Sequence, residues 1–102
     1  MYARIASFEG DPDRVEEAVE AVRGQVESNW ASPPEGLEHA KEMWMLVDRD
    51  NGKGIGITLY ETEEDMRRGD EALSAMTPPV PDDTGRRTGV SFYEIALRKQ
   101  RD

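Results

Sequence analysis

The 102-residue chain contains no cysteine and a single histidine. Without cysteine there is no disulfide framework, no thiol nucleophile and no thiolate metal site. One histidine is too few for a metal site built on imidazoles, so we expect no bound metal. The sequence also lacks an apolar run of about 20 residues, the length that a membrane-spanning helix needs.

Basic residues are in short supply: 13 lysines and arginines face 22 acidic residues, and the formal net charge is −9. Nucleic-acid phosphates and anionic membrane surfaces repel such a chain unless its basic residues cluster. They are dispersed, and Arg67-Arg68 and Arg86-Arg87 are only pairs with aspartates nearby. The N-terminus shows no export signal. We therefore expect a cytoplasmic protein that binds neither nucleic acid nor membrane.

The length fits one domain, residues 1–102, and the chain divides into six regular elements. Four segments are typical of strands in their alternation or their aromatic and β-branched content: Tyr2–Phe8, Glu42–Asp48, Gly54–Glu61 and Val90–Leu97. Two segments have helical apolar spacing and capping residues: Pro12–Asn29 after Asp11, and Glu63–Met76 after Thr62. The order β-α-β-β-α-β predicts an α+β fold, the ferredoxin-like plait, with an antiparallel sheet and two helices on one face.

The segment DRDNG, residues 48–52, joins the second and third predicted strands. A calcium loop beginning at Asp48 would need glycine at its sixth position and glutamate at its twelfth, which are Lys53 and Leu59. Asn51-Gly52 instead suits a hairpin turn, whose residues adopt positive φ. The sequence therefore predicts a turn with solvated carboxylates and antiparallel neighbouring strands.

Both faces of the predicted sheet are apolar, although two short helices can cover only one. The uncovered face would expose Trp44, Leu46 and Phe92 in a patch larger than soluble monomers usually tolerate. A second copy packed sheet-on-sheet with two-fold symmetry would cover the patch, and we expect this homodimer. The alternative is that the loops Ala31–Ala40 and Thr77–Gly89 fold over that face.

Three stretches carry a resemblance to a known group: YARIASFEGDPDRVEEAV, MLVDRDNGKGIGITLYETEEDMR and VSFYEIAL. They resemble the dimeric α/β-barrel superfamily, and within it small proteins similar to antibiotic biosynthesis monooxygenases. The resemblance implies a homodimer whose sheets close into a barrel, with a small-molecule pocket between sheet and helices in each subunit. Members of the superfamily include oxygenases that act on phenolic polycyclic substrates without a cofactor, and this activity is our first hypothesis. Because the superfamily hosts many chemistries, a non-catalytic ligand-binding or structural dimer module is the alternative.

Three residues are candidates for the chemistry of such a pocket. His39 is the only imidazole and would suit a general base, although a lone loop histidine is commonly an exposed surface residue. Tyr60 could hydrogen-bond a phenolate or simply pack in the sheet. Arg4 lies inside the first strand, where it could polarise a substrate or form a structural ion pair with Glu94 of the last strand.

Four further residues are candidates for substrate binding. Trp30 and Trp44 could stack on a flat aromatic ring, or else plug a helix end and pack in the sheet interface. Tyr93 could place a ring, and Glu94 could join Arg4 in binding a polar group. If the protein oxygenates, the substrate must supply the electrons, and the pocket must bind the ring and exclude water.

Overall fold

One four-stranded antiparallel sheet and two helices make up the fold in the computed structural model, which describes residues 1–76 and 85–101. The strands are β1 (Tyr2–Glu9), β2 (Glu42–Asp48), β3 (Lys53–Tyr60) and β4 (Arg86–Glu94). The helices are α1 (Val15–Ala31), which follows a short 3-10 turn at Pro12–Arg14, and α2 (Glu63–Ala75). The sheet order is β2-β3-β1-β4. The predicted ferredoxin-like plait is confirmed.

Both predicted capping residues form a cap, but Asp11 caps the 3-10 turn that precedes α1, whereas Thr62 caps α2 itself. The Asp11 side chain accepts a hydrogen bond from the Asp13 amide at 2.9 Å. The Thr62 hydroxyl accepts one from the Asp65 amide at 3.1 Å. Each cap satisfies a backbone donor that the first helical turn leaves without a carbonyl partner.

The last strand differs from its prediction at both ends, since β4 begins at Arg86 rather than Val90 and ends at Glu94 rather than Leu97. Its limits follow those of β1, with which it pairs along the whole length from Glu9 to Tyr2. A strand edge needs hydrogen-bond partners, and this requirement extends β4 into the predicted loop. Residues 77–84 of that predicted loop lie outside the described residues.

The DRDNG segment forms the predicted turn. Asp48 accepts a 2.8 Å hydrogen bond from the Asn51 side chain, and this bond lowers the pKa of Asp48. Within the turn, Gly52 has a positive φ of 67°, whereas Asn51 does not. Gly10 donates its amide to the Gly52 carbonyl at 2.8 Å, and a Cβ on Gly52 would collide with Gly10. The turn therefore fixes the hairpin against the end of β1.

Strand register assigns each side chain to one face of the sheet. Arg4 lies directly opposite Thr58 and Phe92, so these three side chains share the face that carries the helices. The prediction that grouped Phe92 with Trp44 and Leu46 is wrong. Phe92 is nevertheless 47% exposed, because it lies on the edge strand whereas α2 packs over β1 and β3.

The opposite face, called the outer face here, carries an apolar patch on β2 and β3. Trp44 is 45% exposed and Leu46 is 49% exposed, and they pair with Ile57 and Ile55 respectively. The loop that follows α1 does not cover this patch, because Leu37 is buried on the helical side of the sheet. The alternative in which the loop Ala31–Ala40 folds over this face is therefore wrong.

Candidate functional site

A chamber of about 170 Å³ lies between the sheet and the helices. Ala6 of β1 and Gly56 of β3 form part of its floor, and these two small residues lie directly opposite each other. A Cβ on Gly56 would still stand 3.8 Å from the side chains of Met43 and Phe8. The missing side-chain volume at these two positions therefore opens the space.

The walls of the chamber are mostly apolar and come from every layer of the fold. The lining side chains on the sheet and helices include Phe8, Ala18, Val22, Val26, Met43, Met45, Leu73 and Met76. In α1 the lining positions recur at a spacing of four residues, which places them on one face of the helix. In β2 they recur at a spacing of two, which places them on one face of the sheet.

Two polar lining residues of α1, Gln25 and Asn29, are less buried than Arg4 and Thr58 of the sheet. Gln25 donates to the Asn29 side chain at 3.4 Å, and Asn29 in turn lies 3.9 Å from the Met76 sulfur. These contacts connect the C-terminal ends of α1 and α2. Trp30 also lines the chamber and is 48% exposed, so its ring borders both the chamber and solvent.

Arg4 is the charged residue of the chamber that is most fully buried, with 4% of its surface exposed. Its Nε donates to Asp70 Oδ1 of α2 at 2.8 Å. Its Nη2 is buried and has no hydrogen-bond partner among the described residues. The predicted pair of Arg4 with Glu94 is wrong, because Glu94 lies opposite Tyr2 at the strand end and is exposed.

Tyr60 is fully buried behind the chamber and does not line it. Its ring lies against Gly69 of α2, where the helix has no side chain. Burial raises the pKa of Tyr60 to about 12, the Arg4 charge opposes this shift, and Asp70 adds to it. The hydroxyl has no hydrogen-bond partner in the described part of the chain. At neutral pH Tyr60 is a neutral phenol with a structural place in the core.

The structure brings together only part of the predicted site. Arg4 and Trp30 line the chamber. His39 is exposed in the loop before β2 and does not contribute to the chamber. Trp44 and Tyr93 lie on the outer face and therefore do not line the chamber. Strand alternation separates the two faces of a sheet, but the sequence pattern alone does not show which face carries the helices.

Sequence reasoning missed several residues of the chamber, including Thr58, Gln25, Asn29 and Arg87. It also missed Asp70, the partner of Arg4. A signal for Asp70 was present, because this carboxylate stands at helical spacing between Met66 and Leu73 on the apolar stripe of α2. An acid on an apolar stripe indicates a buried cation opposite it.

The described residues contain no group of three or more histidine, cysteine or acidic side chains placed to hold a metal ion. None of the helices in residues 1–76 and 85–101 is both long and apolar enough to cross a bilayer.

No protein-family model matches the sequence, and no curated protein matches it. Solved structures with the same architecture do match. One is a monooxygenase from the gene ActVA-Orf6 of Streptomyces coelicolor, in complex with the ligand nanaomycin D. It superposes with a TM-score of 0.61 at 16% sequence identity, and the match covers 99% of this chain and 92% of that chain. The chain has the fold of these monooxygenases.

Two further structures agree. A candidate antibiotic biosynthesis monooxygenase from Deinococcus radiodurans has a TM-score of 0.60 at 10% identity, with 100% of this chain and 99% of that chain covered. Another antibiotic biosynthesis monooxygenase has a TM-score of 0.56 at 13% identity, with 95% and 100% covered. At these identities the likeness concerns the fold, and the residues of the chamber must be argued from their own chemistry.

Proposed function

We propose that this protein is a monooxygenase of the antibiotic biosynthesis type, which binds a small aromatic molecule in the chamber and oxygenates it without a cofactor. The observation that carries the proposal is the chamber itself, an apolar space with one deeply buried arginine, in a fold shared with monooxygenases. Pockets that bind small molecules are typically apolar with a few polar groups that fix orientation.

The proposed reaction takes its electrons from the substrate. A ring CH₂ group conjugated with a ketone through the aromatic rings, as in anthrone, loses a proton to solvent as the ligand binds, and the resulting carbanion forms a C–O bond with O₂. The hydroperoxide takes up a proton and loses water, which leaves a carbonyl at the former CH₂ carbon. One oxygen atom enters the product, the other leaves as water, and the CH₂ carbon gives up four electrons. The apolar walls exclude water, and Arg4 stabilises the negative charge that the carbanion delocalises onto oxygen.

Oxygen consumption with anthrone as the probe tests the proposal. The wild-type protein is expected to accelerate the reaction above its rate in buffer, with one O₂ consumed per anthrone oxidised. Gly56→Leu should fill the floor of the chamber and lower the rate about tenfold or more, since small misplacements of a substrate are costly. Gly24→Ala is the control, because a Cβ at this exposed helical position meets no atom within 4 Å.

The folded state of Gly56→Leu is checked by circular dichroism before its rate is compared. If the wild-type protein leaves the rate of oxygen consumption in buffer unchanged over a panel of anthrones and polyphenols, this result would contradict the proposed enzymatic activity.

A second candidate function is non-catalytic binding of a small ligand. The observation in its favour is that two of the predicted catalytic residues stand outside the chamber lining: His39 is exposed, and Tyr60 is buried against Gly69. Tight binding of anthrones without oxygen consumption would support this second function.

We also propose that a second copy of the chain covers the outer face. In support, Trp44, Leu46 and Ile55 are exposed together on two adjacent strands, and their pairing makes the patch continuous. Isologous packing of identical patches is the commonest way in which such surfaces are buried.

Light scattering after size exclusion is expected to give a mass of two 11.5 kDa chains for the wild-type protein. Leu46→Asp should shift this mass to that of one chain, because a carboxylate would be buried in an apolar interface. Ser28→Asp adds the same charge at an exposed position of α1 and should leave the mass of the dimer unchanged. A wild-type protein that is monomeric at micromolar concentration would contradict the proposal.

A further inference from the structure

The guanidinium of Arg4 has incomplete hydrogen bonding in the described structure. An arginine carries five N–H donors, and the described contacts of Arg4 include one hydrogen bond, from Nε to Asp70. Its Nη2 is buried without an acceptor among the described residues. Buried charged donors are normally paired, so a buried arginine that lines a chamber indicates an acceptor supplied by a ligand.

Asp70 balances the charge of Arg4, but the groups that face Arg4 leave an N–H donor of its guanidinium without an acceptor among the described residues. Asp70 from α2 is the carboxylate in contact, and Ser74 also donates to the same Asp70 oxygen at 3.3 Å. On the sheet, the neighbours are the hydroxyl of Thr58 and the neutral phenol of Tyr60 from β3. From β4, apolar Phe92 lies directly opposite Arg4.

Charge along the chamber contrasts with charge over the whole chain. Among the described residues, the chamber lining includes Arg4 and Arg87 and no aspartate, glutamate or histidine. The chain as a whole has a net charge of −9. A lining with arginines and no acidic side chain favours an anion over a cation, although Asp70, beside the lining, offsets the charge of Arg4.

We infer that the ligand is an aromatic weak acid that binds as its anion, with its carboxylate, phenolate or enolate oxygen against the Arg4 guanidinium and its rings between the apolar walls. The inference rests on the proposed function for the chamber and names its substrate class. No described lining residue is an aspartate, a glutamate or a histidine, so the lining offers no side chain that takes up a proton near neutral pH. The ligand must therefore ionise readily by itself. A buried cation assists this ionisation, because it lowers the pKa of an acid bound beside it.

Calorimetry with two isosteric probes, 2-naphthoate and neutral 2-naphthamide, tests the charge. Wild-type protein is expected to bind the naphthoate about tenfold more tightly than the amide, as a charge-assisted hydrogen bond requires. Arg4→Met should abolish this preference while affinity for the amide stays within about threefold. Arg86→Met is the control, because Arg86 is exposed and does not line the chamber, and it should retain most of the preference. Equal affinities for the two probes, or binding of neither at millimolar concentration, would overturn the inference.

A second measurement uses only the wild-type protein, so it does not depend on whether a variant folds. The pKa of 7-hydroxycoumarin, read from its absorbance, is expected to fall by about one unit when wild-type protein binds it. An unchanged or raised pKa for the bound phenol would overturn the inference. These outcomes are separable from those of the oxygenase proposal. An anion preference without oxygen consumption would contradict only the proposed oxygenase activity. Oxygen consumption without an anion preference would contradict only this inference.

Discussion

Replacing Asp70 with alanine is expected to lower the free energy of unfolding by about 3 kcal/mol. The substitution removes the carboxylate that accepts from Arg4 Nε at 2.8 Å and leaves the buried guanidinium uncompensated. Breaking a buried ion pair typically costs about 3–5 kcal/mol. We expect the lower end of this range, because the Asp70 side chain is 29% exposed and water can partly replace it.

Urea unfolding measures the loss. Glu71→Ala is the matched control, since Glu71 is the next residue of α2 and is exposed, and its effect should stay within about 0.5 kcal/mol. The double variant Arg4→Met with Asp70→Ala should be more stable than Asp70→Ala alone, because it removes the unpaired charge. A loss below about 1 kcal/mol for Asp70→Ala would show that the pair is not a buried ion pair.

Gly69→Ala is expected to destabilise the protein by about 1–3 kcal/mol, the usual cost of overpacking a core. A Cβ at this position would collide with the Tyr60 hydroxyl and would stand 2.7 Å from ring atom Cε1. Tyr60 is fully buried, so its ring has little freedom to withdraw. This steric cost exceeds the ~1 kcal/mol that alanine normally adds over glycine inside a helix.

Gly24→Ala separates the gain in helix propensity from the steric cost of the added Cβ. Gly24 lies inside α1 with no atom within 4 Å of a built Cβ, so this variant should gain about 1 kcal/mol in the same urea experiment. Adding Tyr60→Phe to Gly69→Ala removes the colliding hydroxyl and should restore part of the loss. Equal stability of Gly69→Ala and Gly24→Ala would contradict the close packing of Tyr60 on α2.

The fold could be predicted from the sequence because its signals are local. Capping at Asp11 and Thr62 and the reversal at Gly52 depend on residues adjacent in sequence, and the structure confirms all three. The limits of β4 could not be predicted in the same way, because they depend on pairing with β1 at the other end of the chain. Local patterns carry little information about such distant partners.

The candidate site was harder to predict for a related reason. Arg4 was recognised as unusual inside a strand, but its partner Asp70 is 66 residues away and belongs to a helix. Alternation separates Trp44 from Met43 and Met45 without showing which face the helices cover. The chamber itself arises where side chains are small, at Ala6 and Gly56, and a missing volume leaves no periodic pattern.

The most direct test of the chamber is a crystal structure of the protein grown with 2-naphthoate. We predict that the rings lie between the α1 wall and the floor at Gly56, with the carboxylate about 2.7–2.9 Å from the Arg4 guanidinium. Naphthoate bound on the outer face near Trp44, with the chamber closed by its own side chains, would contradict the account.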